Sequence, residues 1–167
     1  VTEEVYGVDL VQLQFSLLMN GSLGISQEDI HAHGHAIEFR IYAENPAENF
    51  RPSTGQILYL SRAGGPGVRE DSWVESGSRV SPFYDAMLSK LIISGKDRAQ
   101  ALSRAKQVLD EYVLEGIPST LGFLRWLVRH PDYLQGKVDV GWIERSYKGE
   151  LVSSRAVGPL NLPEEIG

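Results

Sequence analysis

Two stretches decide the fold: His35-Ala-Ile-Glu-Phe-Arg-Ile-Tyr-Ala43 and Ala86-Met-Leu-Ser-Lys-Leu-Ile-Ile-Ser94. The first alternates apolar and polar side chains, which indicates a strand with one buried face. The second is apolar on both faces, which is typical of a central strand. Within it Lys90 needs either a partner or a sheet edge toward which its ammonium can extend. The apolar and polar sets of the first stretch are Ile37, Phe39 and Ile41 against Glu38, Arg40 and Tyr42.

Helical patterns lie on both sides of this predicted sheet. We expect a well-buried helix from Thr2 to Met19, with Thr2 as its cap, because its apolar residues exceed a single stripe. It would pack on this chain or on a part of the larger protein that is missing here. Asp97 is expected to cap a second helix that reaches Gly116, and a last helix is expected from Ser119 to Arg129, stopped by Pro131. Together with further short strands these patterns predict an α+β fold, a small, mostly antiparallel sheet with packed helices. The further strands are expected at 56–60, 68–74 and near Val80.

Composition excludes several classes of function. The 167 residues carry a net charge of −6, which argues against a nucleic-acid partner. The chain has no cysteine, so disulfide and thiolate chemistry are excluded. No apolar run reaches about 18 residues, so we expect no membrane span. The N-terminus does not resemble a signal peptide, and we expect a cytoplasmic chain that starts partway through a larger protein.

Two stretches, one with histidines and one rich in glycine, could form a ligand-binding site but are explained more simply as chain connections. His31, His33 and His35 alternate and could converge on a metal, but Gly34 interrupts the strand, so we expect a turn and no metal site. The loop 63–67 is rich in glycine, yet no helix follows it, and we expect a hairpin-type connection and not a phosphate-binding loop.

Two polar constellations remain open on residue patterns alone. Glu38, Arg40, Tyr42 and Glu44 could belong to a solvated strand face with cross-strand ion pairs. Alternatively, Arg40 could be held on a rigid strand to bind a carboxylate-like anion. Tyr84 and Asp85, beside Phe83, could form the wall of a ligand site or a turn that leads into the buried strand.

The order of the motifs resembles the C-terminal part of the biotin carboxylases, which are ATP-grasp enzymes. The resemblance covers about residues 1–130, in the family's order and near its spacing. The matching segments are Val1-Thr-Glu3 with Gly7-Val-Asp-Leu10, His35-Ala-Ile-Glu-Phe-Arg-Ile-Tyr-Ala-Glu-Asn-Pro46, Phe50-Arg-Pro-Ser-Thr-Gly55, Gly64-Gly-Pro-Gly-Val-Arg69 and Phe83-Tyr-Asp-Ala-Met-Leu-Ser-Lys-Leu91.

The resemblance implies a reaction in which ATP phosphorylates bicarbonate and the resulting CO2 is captured by biotin. Arg40 would be the catalytic residue that stabilises the enolate-like biotin and helps to hold bicarbonate. Glu38, Tyr84 and Asp85 would lie on the biotin and bicarbonate side of the site, and Arg69 at a dimer interface. Biotin on a carrier domain would be the substrate, and a carboxyltransferase and a second copy would be partners.

Departures from the family pattern set limits on these expectations. The catalytic R-x-Q-V-E-H strand and the glycine-rich lid would precede Val1, so ATP and Mg2+ or Mn2+ would be bound mainly upstream, and we expect the chain alone to be inactive. Gly116-Ile-Pro-Ser-Thr120 and Pro66 differ from the family pattern. We expect 1–30 to end the ATP-grasp region, 31–148 to form the C-terminal domain and 149–167 to be a linker or disordered tail. The alternatives are another ATP-grasp ligase or a non-catalytic interaction module.

Overall fold

The computed structural model describes residues 1–150, in which short helices alternate with short strands. In chain order the elements are α1 (Thr2–Tyr6), α2 (Leu10–Asn20), β1 (His35–Tyr42), β2 (Glu44–Asn45), β3 (Arg51–Pro52), β4 (Gly55–Gln56), β5 (Tyr59–Ser61), β6 (Val68–Ser72), β7 (Arg79–Val80), β8 (Met87–Gly95), α3 (Arg98–Glu111), β9 (Val113–Glu115), α4 (Leu121–Leu127), α5 (Pro131–Leu134) and α6 (Trp142–Ser146).

The main sheet has three antiparallel strands in the order β1-β8-β6. The apolar strand β8 is therefore central, as the sequence predicts. Phe39 pairs with Leu91 on the apolar face, and Arg40 pairs with Lys90 on the polar face. The register shifts between Ile41 and Tyr42, because Leu88 of β8 has no pairing partner on β1 there. The α+β expectation, with a small antiparallel sheet, is confirmed.

Helix α3 covers the apolar face of this sheet. Asp97 caps it as predicted, because the Asp97 carboxylate accepts a hydrogen bond of 2.8 Å from the backbone N–H of Gln100. Ala101, Ala105 and Leu109 are fully buried along the helix. Small side chains at two of these three positions allow the helix to approach the strands closely, and the helix contacts both β8 and β1.

Three two-stranded ladders extend the fold: β2 with β3, β4 with β7, and β5 with β9. The loop 63–67 joins β5 to β6, which belong to different sheets, so the expected hairpin is wrong. Gly67 has φ 75°, and a Cβ there would lie 2.7 Å from the carbonyl oxygen of Ser94. The glycine in this loop thus serves a close approach to β8 and not a hairpin turn.

The N-terminal helix departs from expectation in two ways. It is broken at Gly7, whose φ of 65° closes α1, and Asp9 then caps α2 through the N–H of Gln12. Val1 and not Thr2 occupies the cap position of α1. Neither helix is buried by residues 1–150, and Leu18 is 82% exposed. The apolar density of this segment is real, but the expected burial is wrong for the described chain.

The C-terminal helices also differ from expectation. Helix α3 ends at Glu111 and not at Gly116, because Tyr112 turns extended and β9 pairs with β5. Helix α4 is shorter than predicted, and Pro131 begins α5 instead of only stopping the chain, as proline at a first helical position can. Helix α6 was not predicted.

Two expectations about organisation stay predictions. The division at about residue 30 and the subsequent domain limits have no independent test, and most of the expected tail at 149–167 lies outside the described residues. Within residues 1–150, no helix has both the length and the apolar character that a membrane span requires.

Candidate functional site

The polar face of the main sheet carries two rows of paired residues. Directly opposite residues of an antiparallel pair share a face, so the register places Glu38, Ile92 and Arg69 in one row. The next row contains Arg40, Lys90 and Asp71. We call the charged members of these rows, Glu38, Arg40, Arg69, Asp71 and Lys90, the charged face.

Arg40 is held on this face by its own strand. Its Nε donates a hydrogen bond of 2.7 Å to Oε1 of Glu38, two residues earlier and therefore on the same side of the strand. The Glu38 hydrogen bond, followed by that of Tyr42, raises the pKa of the Arg40 guanidinium. The Arg40 side chain remains 55% exposed, so the guanidinium is both oriented and accessible. The ion pair lies within one strand, unlike the expected cross-strand pairs.

Thr120 braces the strand at the position of Arg40, and it belongs to the segment that departs from the family pattern. Its side chain is buried. Its Oγ1 accepts a hydrogen bond of 3.0 Å from the N–H of Tyr42 and donates one of 3.4 Å to the carbonyl oxygen of Arg40. The backbone N–H of Thr120 also donates to the carbonyl oxygen of Tyr42, at 3.0 Å. These contacts fix the C-terminal end of β1, next to the register shift.

Tyr84 and Asp85 lie together beside an apolar groove of about 550 Å³. The Asp85 carboxylate accepts a hydrogen bond of 2.7 Å from the N–H of Met87, so it shapes the turn that leads into β8. Tyr84 is 83% exposed and leaves its ring free for contact. Both interpretations of this stretch are thus compatible: a turn leading into a strand that also forms a groove wall.

Trp73 also lines this groove, and sequence reasoning missed it. Its indole N–H donates a hydrogen bond of 2.8 Å to the carbonyl oxygen of Met87, which holds the ring across the start of β8. A large aromatic residue directly after a strand was the only available signal. Arg40 and Glu38 are not among the residues lining the groove, so the predicted site residues form two neighbouring pairs.

Glu44 adds a second carboxylate near Asp85. It forms part of β2, two residues beyond the end of β1, and is half-buried. Burial raises the pKa of the Glu44 carboxyl, and the negative charge of Asp85 raises it further. A raised carboxyl pKa is a feature of functional sites, although structural pairs show it too.

Arg69 is engaged within the chain. Its guanidinium donates two hydrogen bonds of 3.1 Å to Asp71 and one of 2.9 Å to Glu3, and lies 3.6 Å from Glu4. The hydrogen bonds with Asp71 and then Glu3 raise the pKa of Arg69. Arg69 thereby fastens α1 to β6. Its predicted role at a dimer interface stays a prediction.

The described residues supply no metal centre. Among residues 1–150, no group of three or more His, Asp or Glu side chains could hold a metal ion. His31 and His33 are exposed, and the backbone N–H of His33 donates a hydrogen bond of 2.7 Å to the carbonyl oxygen of Val5. Gly34, with φ 70°, turns the chain into β1, as the turn interpretation requires.

Comparisons with known proteins agree with the motif order. Residues 38–145 match the family described as the biotin carboxylase C-terminal domain. The chain is 41% identical over 148 residues to a biotin carboxylase of Nostoc, and 42% identical over 144 residues to biotin carboxylase 1 of Bacillus subtilis. These alignments cover 89% and 86% of this chain but only 33% and 32% of the relatives. A pyruvate carboxylase component from Methanothermobacter thermautotrophicus is 40% identical over 149 residues, which are 89% of this chain and 30% of that protein.

A solved structure has the same fold. The biotin carboxylase domain of Hydrogenobacter thermophilus 2-oxoglutarate carboxylase superposes with a TM-score of 0.85 and 34% sequence identity. The match covers 87% of this chain and 32% of that one, which was crystallised as a dimer with MgADP, ADP and bicarbonate. The chain thus spans about a third of the length of these relatives.

Proposed function

The chain belongs to the biotin carboxylase C-terminal domain family, and from that premise we propose that it forms the biotin and bicarbonate side of an ATP-dependent biotin carboxylase. The overall reaction would convert ATP, bicarbonate and biotin into ADP, phosphate and carboxybiotin. Because the chain spans only about a third of the length of these relatives, ATP and its divalent cation would be bound mainly by the rest of the enzyme. On that ground the 167 residues alone would not hydrolyse ATP.

The observation that carries this proposal is the placement of Arg40. Its guanidinium is exposed, oriented by Glu38, and anchored on a strand that Thr120 braces. A fixed cation of this kind stabilises negative charge that develops on a ureido oxygen when biotin loses its N1 proton. In comparable sites the loss of one such donor costs about 3 kcal/mol of transition-state stabilisation.

The neighbouring residues would have supporting roles. Glu38 would orient Arg40, since it accepts the Nε hydrogen bond while the Arg40 side chain stays 55% exposed. The groove that Tyr84 and Asp85 line is apolar, which suits the bicyclic ring and valeryl chain of biotin. Tyr84 would contact the ring system, and Asp85 would hold the turn that shapes the groove.

The partners are proposed on the same premise. Biotin would arrive on a carrier domain, and the carboxyl group would pass to a carboxyltransferase, since the relatives include a component of a pyruvate carboxylase. A homodimer is proposed because the related 2-oxoglutarate carboxylase domain was crystallised as a dimer. Arg69 would then contribute to the interface from the edge of β6 while it also contacts α1.

The test is ATP hydrolysis that depends on both bicarbonate and free biotin, measured on the protein at the full length that its gene encodes. Arg40→Ala is expected to lower the biotin-dependent rate about a hundredfold. Arg51→Ala is the matched control, because Arg51 is also exposed and also lies near a glutamate, Glu48, but stands on a different sheet. A folded full-length protein whose rate of ATP hydrolysis does not depend on biotin would overturn the proposal.

A further inference from the structure

Lys90 occupies the centre of the charged face. In the register of the main sheet it stands directly between Arg40 of β1 and Asp71 of β6. Directly opposite residues in antiparallel strands have Cβ atoms about 5 Å apart, so the ammonium of Lys90 and the guanidinium of Arg40 extend from adjacent points of one surface. Two cations side by side repel each other unless an anion lies between or beside them.

The carboxylates around Lys90 already accept hydrogen bonds from arginine side chains. Asp71 accepts two hydrogen bonds of 3.1 Å from Arg69, and Glu38 accepts that of Arg40. Within residues 1–150, no carboxylate forms an ion pair with the ammonium of Lys90. Lys90 is nevertheless half-buried in the most apolar strand of the protein. A cation placed in this way, and left without a protein counter-ion in the described chain, is available to an exogenous anion.

The position of Lys90 also joins the two halves of the candidate site. Lys90 lines a shallow groove of about 260 Å³ together with Trp73 and Met87. Trp73 and Met87 also line the larger groove of Tyr84 and Asp85. The indole hydrogen bond to Met87 fixes the ring at the boundary between the grooves. A ligand in the larger groove would therefore reach toward Lys90 on its way to Arg40.

We propose that Lys90 is a second anion-binding residue of this site, which with Arg40 holds a planar carboxylate-type oxyanion. The inference rests on the proposed function and deepens it. Arg40 offers a flat fork of donors, and Lys90 a compact point charge that approaches from the neighbouring strand. Bicarbonate before the reaction, and the carboxyl group newly joined to biotin after it, present this same chemistry.

The test uses the protein at its full encoded length and compares Lys90→Gln, Lys90→Arg and Lys106→Gln. Lys106 is the matched control: it is another half-buried lysine, but on α3, the helix that covers the opposite face of the sheet. Thermal unfolding of each variant checks that it folds. The Michaelis constants for bicarbonate and for free biotin, and kcat, are measured separately, with inorganic sodium bicarbonate as the anion.

Lys90→Gln is expected to raise the KM for bicarbonate about tenfold, which corresponds to one charge-assisted contact, while KM for biotin stays unchanged. Lys90→Arg is expected to recover most of this loss, and Lys106→Gln to behave as wild type. If Lys90→Gln instead lowers kcat and leaves the KM values for bicarbonate and biotin unchanged, Lys90 binds the carboxyl group formed during the reaction.

Two results would overturn the assignment of Lys90 while the proposed function stands. One is a biotin-dependent wild type in which Lys90→Gln leaves kcat and the bicarbonate constant within twofold. The other is an effect on KM for biotin alone, which would indicate a packing role. A folded wild type without biotin dependence would overturn the proposed function and the Lys90 assignment together.

Discussion

The hydroxyl of Tyr112 donates a hydrogen bond of 2.7 Å to Oε1 of Glu70, and so the end of α3 fastens the outer strand β6 from the core side. Ser89 Oγ donates to the same oxygen at 2.8 Å, and Arg62 Nε lies 3.3 Å from Oε2. Burial, and then the Glu70 hydrogen bond, raises the pKa of the Tyr112 hydroxyl. Because a slip of one residue would reverse the faces of β6, this contact helps to keep Arg69 and Asp71 on the charged face.

Tyr112→Phe is therefore expected to lower the free energy of unfolding by about 1–2 kcal/mol, since a buried acceptor loses one of its donors. Urea denaturation measures this change. Tyr59→Phe is the control, because Tyr59 is 40% exposed and lies on the separate β5-β9 ladder. Equal stabilities of the two variants would show that the Glu70 contact is energetically neutral.

Arg125 has a comparable structural role at the end of α3. It is buried, and its guanidinium donates to the carbonyl oxygens of Leu109 at 2.8 Å and Tyr112 at 2.6 Å. These carbonyls have no further turn of helix to accept from, so the side chain satisfies them. Burial lowers the pKa of the Arg125 guanidinium, which nevertheless remains protonated at neutral pH.

Arg125→Met is expected to destabilise the protein by about 2–4 kcal/mol, because it leaves buried carbonyl groups without donors. The shift in the midpoint of urea unfolding measures the loss. Arg145→Met removes an exposed arginine that pairs with Asp139 at 2.6 Å, and it is expected to cost less than about 1 kcal/mol. A similar cost for both variants would contradict the capping role of Arg125.

The raised pKa of Glu44 predicts that the stability of the protein depends on pH. Its pKa is raised in the folded state, first by burial and then by Asp85, above the ordinary value of 4.5. A carboxyl group with a raised folded pKa favours folding below the unfolded pKa and loses that contribution as the pH rises through the folded pKa. Glu44→Gln is therefore expected to increase the free energy of unfolding at pH 7.

The gain from Glu44→Gln should shrink toward zero below pH 4.5, where the wild-type carboxyl is protonated in both states. Chemical denaturation at pH 7 and at pH 4 measures both ends of this window. Glu75→Gln, at an exposed turn position, provides the comparison. If Glu44→Gln increases the free energy of unfolding equally at pH 4 and pH 7, the effect arises from the shape of the side chain and not from its charge.

Local chemistry explains which parts of the fold were predictable from the sequence. The alternation of β1 and the apolar run of β8 directly encode which faces are buried, and Asp97 caps α3 through a contact only three residues away. Arg40 and Glu38 were predictable as a pair on one face for the same reason. The motif order then indicated the family, which the comparisons confirm.

The remaining features depend on contacts between distant segments, which periodicity does not encode. The side chain of Arg125 satisfies carbonyl groups 13 and 16 residues away, and Glu70 meets Tyr112 across 42 residues. The end of α3 is set by the pairing of β9 with β5. The helix predicted from the local pattern was therefore longer than the observed one. Trp73 gained a role only when β6 placed it beside Met87.

Arg69 offers the last prediction, because it holds α1 to the sheet. The N–H of Leu10 and then the Arg69 side chain lower the pKa of Glu3, so its stabilising contribution is present above the ordinary pKa of 4.5 and is lost as the pH falls through the lowered value. Arg69→Gln removes the cation shared by Glu3, Glu4 and Asp71. We expect faster hydrogen exchange at the His33 amide, whose acceptor is the carbonyl oxygen of Val5 in α1.

The core should not respond to this substitution. The amides of β8 are expected to exchange at the wild-type rate in Arg69→Gln, since local opening of a surface helix leaves the central strand closed. Raising the salt concentration should reproduce part of the effect in the wild type, because the ion pairs are partly exposed. Arg51 lies on another sheet, in β3, with its Glu48 partner 4.0 Å away, so Arg51→Gln should leave the His33 amide unchanged. If Arg69→Gln also leaves it unchanged, the His33–Val5 hydrogen bond and the Glu3–Leu10 contact suffice to hold α1.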